Sequence, residues 1–170
     1  IKFHYIPCLL GGIMKLSNNQ PPMVTLAEIP NKMKYEFETA FNRFMKEHNI
    51  TKFKMNEHFP VNTISLIRGL IVAQKHEFYE SYLEIVLSGL WEQSLKLDTP
   101  EALHELLKKH DCHADLVIEE IAKDETKQEL IKNTSEAVQK GAFGIPTFFV
   151  GEEMFYGKDT LRELKEMASS

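Results

Sequence analysis

Several short stretches carry side chains that could do chemistry. His110, Cys112 and His113 stand together in the run HDCH and are all metal-ligand types. Their spacing fits no standard zinc pattern and a fourth ligand is not evident, so a solvated turn between helices is expected there. His58, ahead of Phe59, Pro60 and Asn62, has the chemistry of a general base. It has no visible partner, and a structural role is expected. Lys15, Ser17, Asn18 and Asn19 form a polar loop, with simple turn residues as the alternative. Lys158 and Asp159 precede the last helix. Asp159 reads equally as a helix N-cap or as a carboxylate presented, with free helix N–H groups, to a charged ligand. The remaining stretch is Ile145-Pro146, where Pro opens a short apolar run. X-Pro bonds reach cis at low cost, and a cis-Pro at a strand start leaves the main-chain N–H and C=O of the preceding residue open to an extended, peptide-like ligand. A trans Pro opening an edge strand is the even alternative.

The elements that must position these groups follow from periodicity. Ile1, Phe3 and Tyr5 alternate with Lys2 and His4, which predicts a strand over Ile1–Ile6 ended by Pro7. Gly11-Gly12 and the run from Lys15 to Pro22 read as loop. From Pro30, the recurrence of Met33, Phe37, Phe41, Phe44 and Met45 predicts an amphipathic helix with a core-facing aromatic stripe. Further helices are expected from Thr63 (as cap) to His76, from Phe78 to Leu95, from Pro100 to His110 behind the cap Thr99, over Ala114–Ala122, and from Asp124 to Lys140. In the last of these, Leu130, Ile131, Thr134, Ala137 and Val138 form the expected buried face. Thr147–Val150 and Met154–Tyr156, joined at Gly151-Glu152, predict a β-hairpin before a final helix. A first strand separated so far from the hairpin must still pair. The expected architecture is therefore α/β, one mixed sheet built from residues 1–29 and 124–170, with residues 30–123 inserted as a helical domain. An open edge beside Ile1 is expected if a preceding strand is absent.

The 170 residues suffice for one domain with an insertion. A net charge of −5 argues against nucleic acid as a partner. No run approaches the ~18 apolar residues of a membrane span. Cys8 and Cys112 lie far apart and form no C-x-x-C, so two reduced thiols in a cytosolic protein are expected. No phosphate-binding glycine loop, nucleophile elbow or zinc-protease motif is present. The first residue is Ile rather than Met, already in strand rhythm, and the natural N-terminus is expected to lie further upstream, together with any targeting signal. A cytoplasmic location is expected, with the mitochondrial matrix as the eukaryotic alternative.

The stretch FGIPTFFVGEEMFYGKDTL, Phe143 to Leu161, closely resembles the C-terminal motif of the kappa-class glutathione transferases and bacterial 2-hydroxychromene-2-carboxylate isomerases. GGIMKLSNNQPP, from Gly11, is similar to the loop after that family's second strand, and HFPVNT, from His58, is similar to its bacterial members. The resemblance runs the whole length in the same order. It implies the DsbA-like branch of the thioredoxin fold with an inserted helical domain. It also implies glutathione as co-substrate, a small electrophile as second substrate, and a homodimer. Residue by residue, Pro146 matches the family's cis-Pro, Ile145 the residue whose backbone pairs with the cysteinyl part of glutathione, and Asn19 a loop contact. Lys158 and Asp159 match the pair at the γ-glutamyl end. Relatives often carry Ser or Asn where Lys158 stands, a departure in which a cation would meet the glutamyl carboxylate. Lys15 is a further candidate, toward the acidic substrate.

The family's catalytic Ser, whose hydroxyl favours the glutathione thiolate, sits after a first strand and is expected upstream of Ile1. Cys8, at the end of the wrong strand, does not replace it. A chain truly beginning at Ile1 is expected to show no appreciable catalysis. The leading expectation is a glutathione-dependent isomerase or transferase. The alternatives are a DsbA-like thiol–disulfide oxidoreductase, should C-x-x-C lie upstream, and a non-catalytic binding module of the same fold.

Overall fold

The computed structural model describes residues 2–167. The chain divides into two compact units, residues up to Asn19 together with those from Gln128, and Gln20–Lys127. The divisions fall after Asn19 and inside a long helix, where the sequence reading put them after residues 29 and 123.

The Gln20–Lys127 unit is helical. After α1 (Leu10–Leu16, in the other unit) come α2 (Pro22–Thr25), α3 (Pro30–Lys34), a π-helical turn (Tyr35–Ala40) and α4 (Phe41–Glu47). Then follow α5 (Ile64–Lys75), α6 (Tyr79–Trp91), α7 (Pro100–Lys109), α8 (Ala114–Ala122) and the start of α9 (Asp124–Gln139). The cap of α7 forms as its residues dictate: Thr99 Oγ1 accepts from the Ala102 N–H at 3.2 Å, with Pro100 at the first position. The cap expected of Thr63 is instead made by Asn62, whose Oδ1 accepts from the Ile64 N–H at 3.1 Å.

Leu66, Val72, Tyr82, Leu103, Leu107 and Val117 belong to one closed core contributed by α5 to α8. Tyr82 is fully buried with its hydroxyl donating to the Leu66 carbonyl at 3.0 Å, so its polar atom has a partner. The ring lies where a Cβ on Gly69 would stand, only 1.9 Å from the tyrosine oxygen, which is why α5 carries a glycine there. Buried Asn56 ties down the C-terminal end of α6 by donating to the carbonyls of Leu90 (2.8 Å) and Leu95 (2.9 Å).

The stripe expected to face the core from residue 33 to residue 45 does not. Helical backbone runs from Pro30 to Glu47, but none of its residues is buried. Phe41 meets the ring of Phe53, which stacks on Trp91. The π turn shifts the helical phase midway, and the stripe therefore stays at the margin of the core.

In the other unit, α1 forms where a loop was expected. Ile13 supplies the reason, since its burial anchors a helix that two glycines would not favour alone. Gly12 lets this helix approach α9: a Cβ there would stand 2.9 Å from Thr134 Cγ2. Buried Thr134 also accepts from the Leu9 N–H at 3.1 Å and donates to the Leu130 carbonyl at 2.7 Å. Ile131, expected on the buried face of α9, is 59% exposed. α9 ends as its Lys140-Gly141 sequence predicts. Gly141 takes φ +105°, its N–H bonds the Val138 carbonyl, and the Ala142 N–H bonds that of Ala137, the paired closure of a Schellman motif.

Among the described residues the sheet is a two-stranded antiparallel hairpin, β1 (Thr147–Val150) and β2 (Glu153–Tyr156), in place of the expected mixed sheet. Residues 2–9 form no strand, contrary to the expectation for Ile1–Ile6 (Ile1 lies outside the described residues). A strand needs a ladder partner, and this segment meets β1 through side chains instead, with the ring of Phe3 on that of Phe148 at 5.7 Å. The hairpin turn Gly151-Glu152 has Gly first with φ +61°, as a type II′ turn requires. A short 3₁₀ turn (Lys158–Thr160) then leads into α10 (Leu161–Met167), held by buried Leu164.

Candidate functional site

The C-terminal closure of α9 delivers the chain directly into Phe143–Pro146, and the Ile145–Pro146 peptide is cis. Gly144 is buried against Tyr156: a Cβ would stand 2.9 Å from two atoms of its ring system. The Phe143 and Tyr156 rings lie 4.5 Å apart, and Thr147 Oγ1 donates to the Gly144 carbonyl at 2.7 Å. These contacts fix the turn that presents Ile145, itself 43% exposed.

The ladder phase determines which main-chain groups are open. Val150 faces Glu153 across a two-residue turn and is therefore a hydrogen-bonded pair, as is Phe148 with Phe155 two positions along. The Gly157 N–H bonding the Pro146 carbonyl at 2.9 Å continues the same phase. Pro146, Phe148 and Val150 thus turn their main chains toward β2, whereas Thr147 and Phe149 turn theirs to the other edge. Ile145, just ahead of the cis peptide, makes no main-chain hydrogen bond to another described residue, so its N–H and C=O are both open.

Two further groups gather at this end of the hairpin. Asn19 Nδ2 donates to the Phe143 carbonyl at 2.8 Å, and its own N–H bonds the Met14 carbonyl, which ties the loop after α1 to the approach to Pro146. The Gly157–Pro146 bond brings the 3₁₀ turn alongside from the other direction. There Lys158 Nζ pairs with Asp159 Oδ1. Gly157, with φ +86°, is the residue that starts this turn, and Thr160 Oγ1 donates to its carbonyl at 2.8 Å. Asp159 therefore lies inside the turn, 80% exposed at its side chain. Asn19, Ile145, Pro146, Lys158 and Asp159 are brought to one end of the hairpin, while Lys15 is exposed in the last turn of α1 with no contact tying it to them among the described residues. Gly144 and Tyr156 were missed by sequence reasoning. The only signal was the glycine immediately ahead of Ile-Pro.

The other candidates do not converge. Cys112 is buried while the ring of His113 lies on that of Phe78 at 4.5 Å. Among the described residues no group of three or more potential ligands could hold a metal ion. His58 donates its backbone N–H to Asn56 Oδ1 at 2.8 Å, a structural contact. Cys8 and Cys112 are free thiols, and burial pushes both pKa values up, away from the thiolate. No helix among the described residues is long and apolar enough to cross a membrane.

Fold and motif together define a thioredoxin-type domain with open main-chain groups beside a cis-Pro. Residues 1–168 match the family described as DSBA-like thioredoxin domain, and the chain belongs to that family. Within it, the chain is 26% identical to glutathione S-transferase kappa 1 of Rattus norvegicus, over 96% of this chain and 76% of the relative. It is 24% identical to glutathione S-transferase kappa 1 of Homo sapiens, over 95% and 75% respectively. The solved structure of selenomethionine 2-hydroxychromene-2-carboxylate isomerase has the same fold, with a TM-score of 0.77 at 18% identity, covering 95% of this chain and 77% of that one. The resemblance to the kappa-class transferase and isomerase family, read first from Phe143 to Leu161, thus extends along the chain.

Proposed function

We propose that this chain binds glutathione and serves a glutathione-dependent transferase or isomerase reaction on a small electrophile. The observation that carries the reading is the open main chain of Ile145, beside the cis-Pro and between Asn19 and the Lys158–Asp159 pair. The donor set suits a tripeptide with charged ends. Ile145 offers one N–H and one C=O to its cysteinyl residue, in the manner of a strand added to an edge. Asp159 can accept from the γ-glutamyl ammonium and Lys158 can meet the neighbouring carboxylate. In the free chain these two neutralise each other, and exposed pairs of this kind are worth only about 0–1 kcal/mol, so exchanging partners costs little. Bound glutathione supplies a thiolate able to add to an electrophilic carbon. Neither Cys8 nor Cys112 substitutes for it, because burial disfavours their ionised forms.

The resemblance assigns the hydroxyl that favours the thiolate to a serine before Ile1, and Lys15 to the acidic substrate. It also supports a homodimer, and a cytoplasmic or mitochondrial setting remains part of the same proposal. Calorimetric titration with glutathione tests the binding step. Heat that saturates at one glutathione per chain is expected, together with weakened binding in Asp159→Ala. Absence of binding both by this chain and by one extended upstream with a strand, serine turn and helix would sink the reading.

A further inference from the structure

Tyr156 closes β2 at the position opposite Thr147, at the same end of the hairpin as Ile145. Its ring packs on that of Phe143, with centroids 4.5 Å apart, and covers Gly144. The hydroxyl oxygen stands 2.9 Å from where a Cβ of Gly144 would be, which sets it beside the peptide joining Gly144 to Ile145. A phenylalanine would make the same ring contacts, so packing does not account for the hydroxyl. That hydroxyl makes no hydrogen bond to any described residue, and Tyr156 is 42% exposed. A phenol in this state is available as a donor. The polar side chains around it already have partners: Thr147 Oγ1 donates to the Gly144 carbonyl at 2.7 Å, and Asn19 Nδ2 donates to the Phe143 carbonyl at 2.8 Å.

The direction of the ligand decides what this donor meets. The bond from the Gly157 N–H to the Pro146 carbonyl holds Lys158 and Asp159 on the C-terminal side of Ile145. With the γ-glutamyl end there and the cysteinyl residue at Ile145, the tripeptide runs antiparallel to the chain, and its glycyl end continues past Gly144. We propose that the Tyr156 hydroxyl donates a hydrogen bond to the glycyl carboxylate of bound glutathione. This rests on the glutathione reading above and extends it to the third residue. Tyr156 thereby acts as a specificity residue, selecting thiols that carry a free carboxylate beyond the cysteine. The two ends of the ligand are then read by different means: a charged pair holds the zwitterionic end, and a neutral donor fixed by aromatic packing holds the other.

The test is a four-way comparison by calorimetric titration. The ligands are glutathione and its glycyl monoethyl ester, and the proteins are the unaltered one and Tyr156→Phe, which keeps the ring contacts with Phe143 and Gly144. The unaltered protein is expected to bind glutathione more tightly than the ester. Tyr156→Phe is expected to weaken glutathione roughly fivefold, the scale of one partly exposed hydrogen bond. It should weaken the ester far less, so that most of the preference between the two ligands disappears. A merely structural role of Tyr156 would weaken both ligands alike. Equal weakening of the two, or glutathione binding that Tyr156→Phe leaves unchanged, would overturn this proposal while leaving the glutathione reading standing. Absence of glutathione binding by the unaltered protein, the result that sinks that reading, would overturn both.

Discussion

In the helical unit Leu66, Tyr82, Leu103, Leu107 and Val117 form part of one cluster that excludes water, whereas in the unit carrying the hairpin Phe148 is half-buried and Phe149 and Val150 are exposed. The side chains of the second unit are no less apolar. What differs is that α5 to α8 each meet partners on their apolar faces, while among the described residues β1 pairs with β2 alone. The comparison teaches that stability and ligand contact are separated along this chain. The helical unit satisfies its own apolar surface, and the hairpin unit leaves main-chain groups and apolar side chains open beside the proposed glutathione site.

The sharpest way to break that contrast is to truncate one apolar side chain in each unit. Leu107→Ala should cost about 2–5 kcal/mol in urea unfolding, as buried leucines do. Phe149→Ala, at a side chain 39% exposed, should cost clearly less. Equal losses would show that the hairpin unit is packed as fully as the helical one. Next in size is Gly69→Ala, whose new methyl collides with the Tyr82 hydroxyl and should cost about 1–3 kcal/mol without changing glutathione binding. Gly144→Ala makes the complementary displacement, pushing Tyr156 away. It should weaken glutathione binding more than its effect on thermal unfolding implies, which a paired titration and melting experiment reads directly.

On the ligand side, Asp159→Ala should weaken glutathione about tenfold, the scale of one charge-assisted hydrogen bond, and Asn19→Ala by several-fold. Calorimetry on both variants ranks them, and the reverse order would shift the weight of recognition from the charged end to the loop. The smallest effect expected is on pH dependence in the helical unit. His104 Nε2 lies 2.8 Å from Asp115 Oδ1, and this hydrogen bond raises the imidazole pKa, aided by Glu105. A raised folded pKa means the contribution is complete below the unfolded value of about 6.5 and is lost as pH rises through the folded one. Asp115→Asn should lower the His104 titration midpoint followed by NMR, and an unmoved midpoint would rule out the carboxylate as the cause.

Much of this arrangement is legible in the residues because local chemistry decides it. Thr99-Pro100-Glu101 starts a helix, Lys140-Gly141 ends one, and Gly151-Glu152 turns a hairpin, each through contacts within a few residues. Where the chain departs from its local pattern, distant contacts decide. α1 forms around two glycines because Ile13 finds a buried place and Gly12 meets Thr134. The alternation of Phe3 and Tyr5 predicts a strand, yet a strand is a property of two segments, and periodicity cannot supply the second. The aromatic stripe from Met33 is misread because a π turn resets its phase, which no spacing rule anticipates. At the candidate site the motif names the residues, but not the hydrogen bonds from Asn19 to Phe143 and from Gly157 to Pro146 that draw them together.

The bond from the Gly157 N–H to the Pro146 carbonyl has one more effect. It fixes the backbone spacing between Ile145 and the turn that carries Asp159, through a few covalent links on either side of a single clasp. A tripeptide joined through its glutamyl side chain is longer between its first charge and its cysteine backbone than one joined in the ordinary α manner. In the glutathione site proposed above, that spacing would favour the γ-linked tripeptide over its α-linked isomer.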